Sequence, residues 1–300
     1  MHQLSDFYSY MRKATFTLII LLAYFIRAYS QSPSFNNPNQ GNMPFAPQMT
    51  TLDTALIKVY YKLEFKKDST QEDKTEAQTI LLLGDRYTLF TDYYLFMSDS
   101  IAQAVDKEKK GQLEATSKLF NLWGQKKYKQ WNICDLRNNI VIKREQVEAR
   151  YYEYEEKLPI IDWHLINKDT LINGLKCGKA TCKYRGRDYI AWYLKDISLP
   201  FGPYLFYGLP GLIAIIKDRK DNYVFTLNGL EDNLPYLAPI YFTQTTLFYK
   251  DTREKIRATI QKIYNRPTDI MLQDPIMKID AGTMQKLDRS SEPYNPIELE

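Results

Sequence analysis

The chain has 300 residues, 44% hydrophobic and 25% charged, a globular composition with enough apolar side chains to bury a substantial core. Its 40 basic and 36 acidic residues leave a net charge of only +4, without the strong clustered positive charge of a nucleic-acid binder. The 24 tyrosines, 14 phenylalanines and 4 tryptophans favour pleated, half-buried surfaces and point to β-structure.

The start reads as an export signal. Arg12 and Lys13 precede the apolar run Ala14 to Ile26, and Ala28-Tyr29-Ser30 supplies small residues at both positions a signal peptidase inspects, so cleavage after Ser30 is expected. The run is shorter than the roughly 20 residues of a membrane span, and no cysteine follows it to carry a lipid. Met11 is an alternative initiator. Residues 1–30 carry a net +2, and their removal leaves +2 on the mature chain. The best local basic cluster, Lys126, Lys127 and Lys129, reads as a solvated helix end or loop.

Residues 31–51, rich in Pro, Asn and Gln with no period, are expected to form a disordered leader, and residues 52–300 a single β-rich domain. Ile57, Val59, Tyr61, Leu63 and Phe65 alternate with polar positions and predict a strand with one buried face. Thr79 to Met97 reads as two strands divided at Gly84-Asp85. Ser98 to Leu122 reads as helical, broken near Gly111, and Asn139 to Pro159 as two more strands. The stretch Thr170 to Leu194 predicts a hairpin with Arg185-Gly186 at its tip. Gly211 to Lys217 and Asn222 to Leu227 follow as strands. Ile256, Ile260 and Ile263 then recur at helical spacing, closed by Pro267. Strands without a βαβ rhythm predict a mainly β, α+β fold: a curved antiparallel sheet, bowl-like or half-barrel, with a few accessory helices.

Little in the chain speaks for catalysis. With His2 in the signal segment, the mature chain keeps only His164, which rules out multi-histidine zinc sites; in its apolar run it reads as a packed strand residue. Gly174 to Gly178 encloses three residues where a phosphate-binding loop has four, and Ala180 stands where that loop needs a hydroxyl. No cofactor and no metal is expected, and no catalytic residue is assigned. Cys177 and Cys182, five apart on one strand, are too distant to bridge, so a disulfide would use Cys134; the other reading is three free, buried thiols.

Trp163, Thr170 to Thr181, Arg185 to Tyr193, Gly202-Pro203-Tyr204 and Gly208-Leu209-Pro210-Gly211-Leu212-Ile213 with Asp218 together resemble the GLPGLI family of exported proteins from Bacteroidota. The resemblance runs from about Ile57 to the closing Tyr294 to Glu300, with Leu175 where tyrosine is commoner. It implies export, an envelope address and a β-rich fold; the family's biochemical function is not established. Read physically, Leu209-Pro210-Gly211-Leu212 predicts a type II turn with Gly211 at positive φ, setting a corner before a buried central strand.

The hairpin supplies the candidate ligand face. A two-residue tip places Gly178, Ala180, Cys182, Tyr184, Tyr189 and Ala191 on a core face, and Lys179, Thr181, Lys183, Asp188 and Trp192 on the other. Lys179, Thr181, Asp188 and Trp192 are the candidate binding residues. That face suits a sugar or peptide, or else Trp192 shields the stem of Lys179. The expected protein is periplasmic or secreted, a non-catalytic binding or assembly component with an aromatic-lined sheet surface. Its partner is an envelope protein, peptide or glycan, with no nucleic acid and no transmembrane anchor after signal cleavage. The rival is a hydrolase of envelope or extracellular polymers that uses carboxylates alone, for which two close buried carboxylates in a cleft would speak.

Overall fold

The computed structural model describes residues 46–108, 112–148, 150–232, 234, 238–243, 248–266 and 291–300. The expected signal segment, most of the leader, Gly111 and Pro267 lie outside these residues. β1 Met49–Ala55 comes first and stands apart, and six strands then form a meander: β2 Ile57–Phe65, β3 Thr75–Leu83 and β4 Tyr87–Asp92 run to helices α1 Tyr93–Glu108 and α2 Gln112–Gln125, followed by β5 Gln130–Asp135, β6 Ile140–Val147 and β7 Arg150–Lys157. A second meander holds β8 His164–Ile172, β9 Leu175–Tyr184, β10 Arg187–Leu194, β11 Ile213–Asp218 and β12 Tyr223–Glu231. The short strands β13 Ala238–Thr243 and β14 Phe248–Lys250 and helix α3 Arg253–Asn265 follow.

The protein is mainly β, with one large curved, unclosed sheet. Its order is β14-β7-β6-β5-β4-β3-β2-β12-β11-β10-β9-β8, and β1 pairs separately with β13. All pairings are antiparallel except β14 with β7. The two meanders meet where β12 pairs with β2. The rings of Phe90 on β4 and Phe225 on β12 lie 6.1 Å apart although their strands are three steps apart, about 14 Å in a flat sheet. The sheet therefore curls around this face, which gathers the largest apolar cluster, including Val59, Tyr61, Leu63, Ala180, Ala191 and Ile216. The outer face carries α1 and the β1–β13 pair over Ile80, Leu82, Leu89 and Ile133. Helix α3 seats Ile256, Ile260 and Ile263 against Val147, Tyr152 and Tyr154.

Four expectations need correction. A strand begins at Met49, inside the expected leader, because Ala55 and Leu52 find apolar partners in Ala238 and Ile240. Tyr93 to Met97 is helix, since the Asp92 carboxylate accepts the amides of Tyr94 and Leu95 at 2.9 and 3.3 Å and caps α1. His164 is no packed residue: it lies on the edge strand β8 with its side chain 73% exposed. Gly211 does not adopt positive φ; that conformation belongs to Gly208, at φ 92°. What Gly211 lacks room for is a Cβ, which would press into the backbone carbonyl of Leu194 and lie 3.0 Å from that of Ile197.

The segment before β11 fills the curl from inside. Tyr204, Leu205, Phe206, Leu209 and Leu212 are buried. Backbone bonds from Leu212 to Ile197 (3.0 Å), Ile213 to Phe201 (3.0 Å) and Gly208 to Pro200 (2.9 Å) hold it there, and the Trp163 indole donates to Tyr207 O at 2.8 Å. Residues 294–300 lie alongside: Arg187 donates to the Ile297 and Pro296 carbonyls, Tyr223 to that of Asn295, and Asn295 to Lys66 O. The three cysteines are free and buried. No helix among the described residues is long and apolar enough to cross a membrane.

Candidate functional site

The expected hairpin forms as read. Arg185 and Gly186 take φ of 46° and 81°, and Lys179 faces Trp192, Thr181 faces Ile190, and Lys183 faces Asp188. Lys179, Thr181, Asp188 and Trp192 therefore share the outer face. The Lys179 ammonium sits 5.4 Å from the Trp192 ring centre, which places its stem against the indole. Asn173-Gly174 makes a second tip of the same kind and adds β8. Its residues Ile166 and His164 extend the same strip opposite Lys179 and Thr181.

The most concentrated charge lies on the inner face. Lys143 Nζ donates at 2.5 Å to Glu298 Oε1 and at 2.5 Å to the Tyr204 hydroxyl, which itself donates to Glu298 at 2.6 Å. Arg253 reaches Glu298 Oε2 at 2.9 Å, and Arg257 approaches it at 3.8 Å. Burial works to raise the Glu298 pKa, but these cations and the tyrosine outweigh it and hold the carboxyl well below its ordinary range. With its side chain only 1% exposed and both oxygens occupied, Glu298 has no room for a substrate. It is the counter-ion that lets Lys143 be buried.

A group of half-buried side chains with a different character lies on the outer face, where β5 to β7 and β14 meet residues of α1 and β13. Period-2 alternation along β5, β6 and β7 sends Trp131, Gln146 and Tyr151 outward; Gln146 pairs with Tyr151 and Tyr151 with Phe248 on β14, while Trp131 pairs with Arg144 and lies one diagonal step from Gln146. Trp131 and Tyr151 lie 6.3 Å apart and tilted by 53°; Tyr151 and Phe248 lie 5.4 Å apart, tilted by 57°. All four side chains are half-buried. Arg144 lies between Phe242 and Phe248 while donating to Glu153 at 2.6 Å and to Thr243 O at 2.9 Å.

Two charged groups face this aromatic row. Asp99, projected from α1, accepts the Tyr241 hydroxyl at 2.5 Å through Oδ2. Close packing pushes its pKa up to about 6, held back by that bond and by Lys126. Lys126 follows α2, donates to Gln146 Oε1 at 2.8 Å and lies 5.9 Å from the Trp131 ring centre. Burial lowers its pKa against the pull of Asp92 and Asp99. Burial also raises the Tyr151 pKa, with Asp99 adding to it. Lys126 is thus not the freely solvated residue expected of its cluster; Lys127 and Lys129 are exposed. The members come from positions 99, 126, 131, 146, 151, 241 and 248, so no local motif marks them.

Perturbed ionisable groups beside half-buried rings make this group the candidate site. The fold is mainly β, on one large unclosed sheet, with this aromatic group on its outer side. No family model matches the chain, and no curated protein does. Among solved structures it is similar to PNGF-II in its C2 crystal form, at TM-score 0.42 and 14% identity over 71% of this chain and 33% of that one. The P21 form gives TM-score 0.42 and 13% identity, over 71% and 34%. The chain spans about a third of the length of these structures.

Proposed function

We propose that this is an exported, non-catalytic binding component of the cell envelope, periplasmic or secreted, that holds its partner on the outer aromatic group. The resemblance to the GLPGLI family and the signal-like start support the address. The aromatic group supports the activity, because it joins half-exposed rings to a small number of polar groups. The single observation that carries the non-catalytic reading is that the groups interacting with Asp99 among the described residues are Tyr241, Lys126 and Tyr151, with no second carboxylate. Asp92 and Glu153 are committed elsewhere: Asp92 accepts four backbone amides, and Glu153 is paired with Arg144 and Lys250. Hydrolysis by carboxylates alone requires an acid and a base or nucleophile about 5 to 9.5 Å apart across the bond to be cut.

Two measurements test this. Protein recovered from the envelope or medium of an expressing Gram-negative host should begin at Gln31; uncleaved protein confined to the cytoplasm would sink the address. Purified protein incubated with envelope polymers should retain one of them on a pull-down without releasing new reducing ends or amino groups. Turnover that disappears in Asp99→Asn would replace binding with hydrolysis.

A further inference from the structure

Resting on the reading of this aromatic group as a binding site, we infer that its ligand is a neutral carbohydrate, with sugar rings laid on Trp131 and Tyr151 and hydroxyls shared between Asp99 and Lys126. The argument is one of complementarity. Among the described residues, Asp99 spends one oxygen on Tyr241 and leaves Oδ1 as an acceptor, while Lys126 spends one of its three donors on Gln146 and leaves two. The Tyr151 hydroxyl can both donate and accept. An anionic ligand would meet the Asp99 carboxylate, and a cationic one would meet the Lys126 ammonium. Neutral groups that donate and accept satisfy both, and a hydroxyl does so from a single atom, where an amide needs two.

The aromatic row sets the remaining condition. Ring faces carry the negative part of the quadrupole and attract the slightly positive C–H bonds that a sugar ring presents from its flat side. Trp131, Tyr151 and Phe248 stand side by side with successive tilts, a stepped surface longer than one ring, which fits consecutive residues of an oligosaccharide better than a single small molecule. Lys126, held over Trp131 and tied to Gln146, closes one end of the row.

The test is affinity electrophoresis and calorimetry of the purified full chain with laminarin, xyloglucan and mannan as neutral probes. Polygalacturonate is the acidic probe and a casein digest the peptide probe. We expect at least one neutral polymer to be retained, Trp131→Ala to weaken that binding at least tenfold, and Asp99→Asn, which keeps the side-chain shape, to weaken it severalfold. Lys255→Ala, exposed on helix α3, should leave it unchanged, and far-UV circular dichroism checks that each variant is folded. Retention of only polygalacturonate or peptide, lost in Trp131→Ala, overturns the carbohydrate assignment while the binding reading stands. Retention of no probe, or retention insensitive to both Trp131→Ala and Asp99→Asn, overturns both.

Discussion

Replacing Gly211 by alanine tests what the Gly-Leu-Pro-Gly-Leu-Ile corner does. The added Cβ has no empty space to enter, because it meets the Leu194 carbonyl, itself backbone in the strand β10, with Ile197 O at 3.0 Å behind it. The corner must move by roughly an ångström, enough to break the bonds Leu194 N to Leu212 O (2.8 Å), Leu212 N to Ile197 O (3.0 Å) and Ile213 N to Phe201 O (3.0 Å). At about 1 kcal/mol net for each bond and about 1–2 for strain, the loss is about 4–5 kcal/mol. In a domain of this size that lowers Tm by about 8–20 °C. Gly208→Ala has open space, its nearest neighbours being Trp163 atoms at 3.9 Å, and should cost only the positive-φ penalty of about 1–2 kcal/mol. Pro210 is exposed, and Pro210→Ala should cost about 0.4–1 kcal/mol through the unfolded chain. Urea midpoints and thermal melts of the three variants should therefore rank Gly211 worst, then Gly208, then Pro210. A Gly211→Ala protein melting within about 2 °C of the parent, or a Pro210→Ala protein below it, would refute the carbonyl-clash explanation.

Glu298→Gln leaves Lys143 buried beside Arg253 and Arg257 without its carboxylate and should cost about 3–5 kcal/mol in urea unfolding; an unchanged midpoint would show that the cluster is not a charge balance. Because the Glu298 pKa is depressed, its stabilisation is present above the ordinary value of 4.5 and is lost as pH falls below it, so the parent should lose more stability between pH 5 and 3 than the variant. Asp99 has the opposite sign: its pKa is raised to about 6, so its contribution is greatest in acid and is lost as pH rises through 6 with Lys126, Tyr151 and Tyr241 facing it. Asp99→Asn should then melt above the parent at pH 7.5, by about 1 kcal/mol after solvent screening, and the gap should close at pH 4.5. Burial pushes the thiols of Cys134 and Cys182 up to about 11 and about 12, so a thiol reagent at pH 8 should find none of the three cysteines before urea and all three after it.

The architecture was legible wherever a residue's role depended on its near neighbours. Alternation along β2 named Val59, Tyr61 and Leu63 as core, and the two-residue tip at Arg185-Gly186 fixed the hairpin register pair by pair. The misreadings share a cause, namely a distant partner. Met49 to Thr51 was assigned to the disordered leader, and it is β13, nearly two hundred positions away, that pairs with it. Tyr93 to Met97 has strand composition but starts a helix, since the Asp92 carboxylate is placed by the amides of Lys127 and Tyr128 as well as capping α1. Gly211 was assigned a backbone conformation when its constraint is a carbonyl from another strand. The Asn173-Gly174 tip was legible in principle, as a dipeptide that favours this turn, and marks the missed strand β8. The outer aromatic group was not legible at all, because its side chains meet only after β5, β6, β7 and β14 have come into register.

The seam between β2 and β12 has a consequence for how such a sheet assembles. Each half is a run of strands paired with their neighbours in sequence, joined by short turns except for the helices between β4 and β5 and the segment between β10 and β11, whereas the seam joins Phe65 to Tyr223 and Lys58 to Glu231, contacts that close a loop of well over a hundred residues. Until it forms, the molecule is two half-shells, each with a bare strand of nine residues along its rim and an apolar inner surface facing solvent. The bulge between Leu227 and Gly229, where a side chain would strike the ring of Tyr60, is then the place where the shells find their alignment, and a slip of one residue there would put Phe225 and Tyr61 on opposite faces of the sheet.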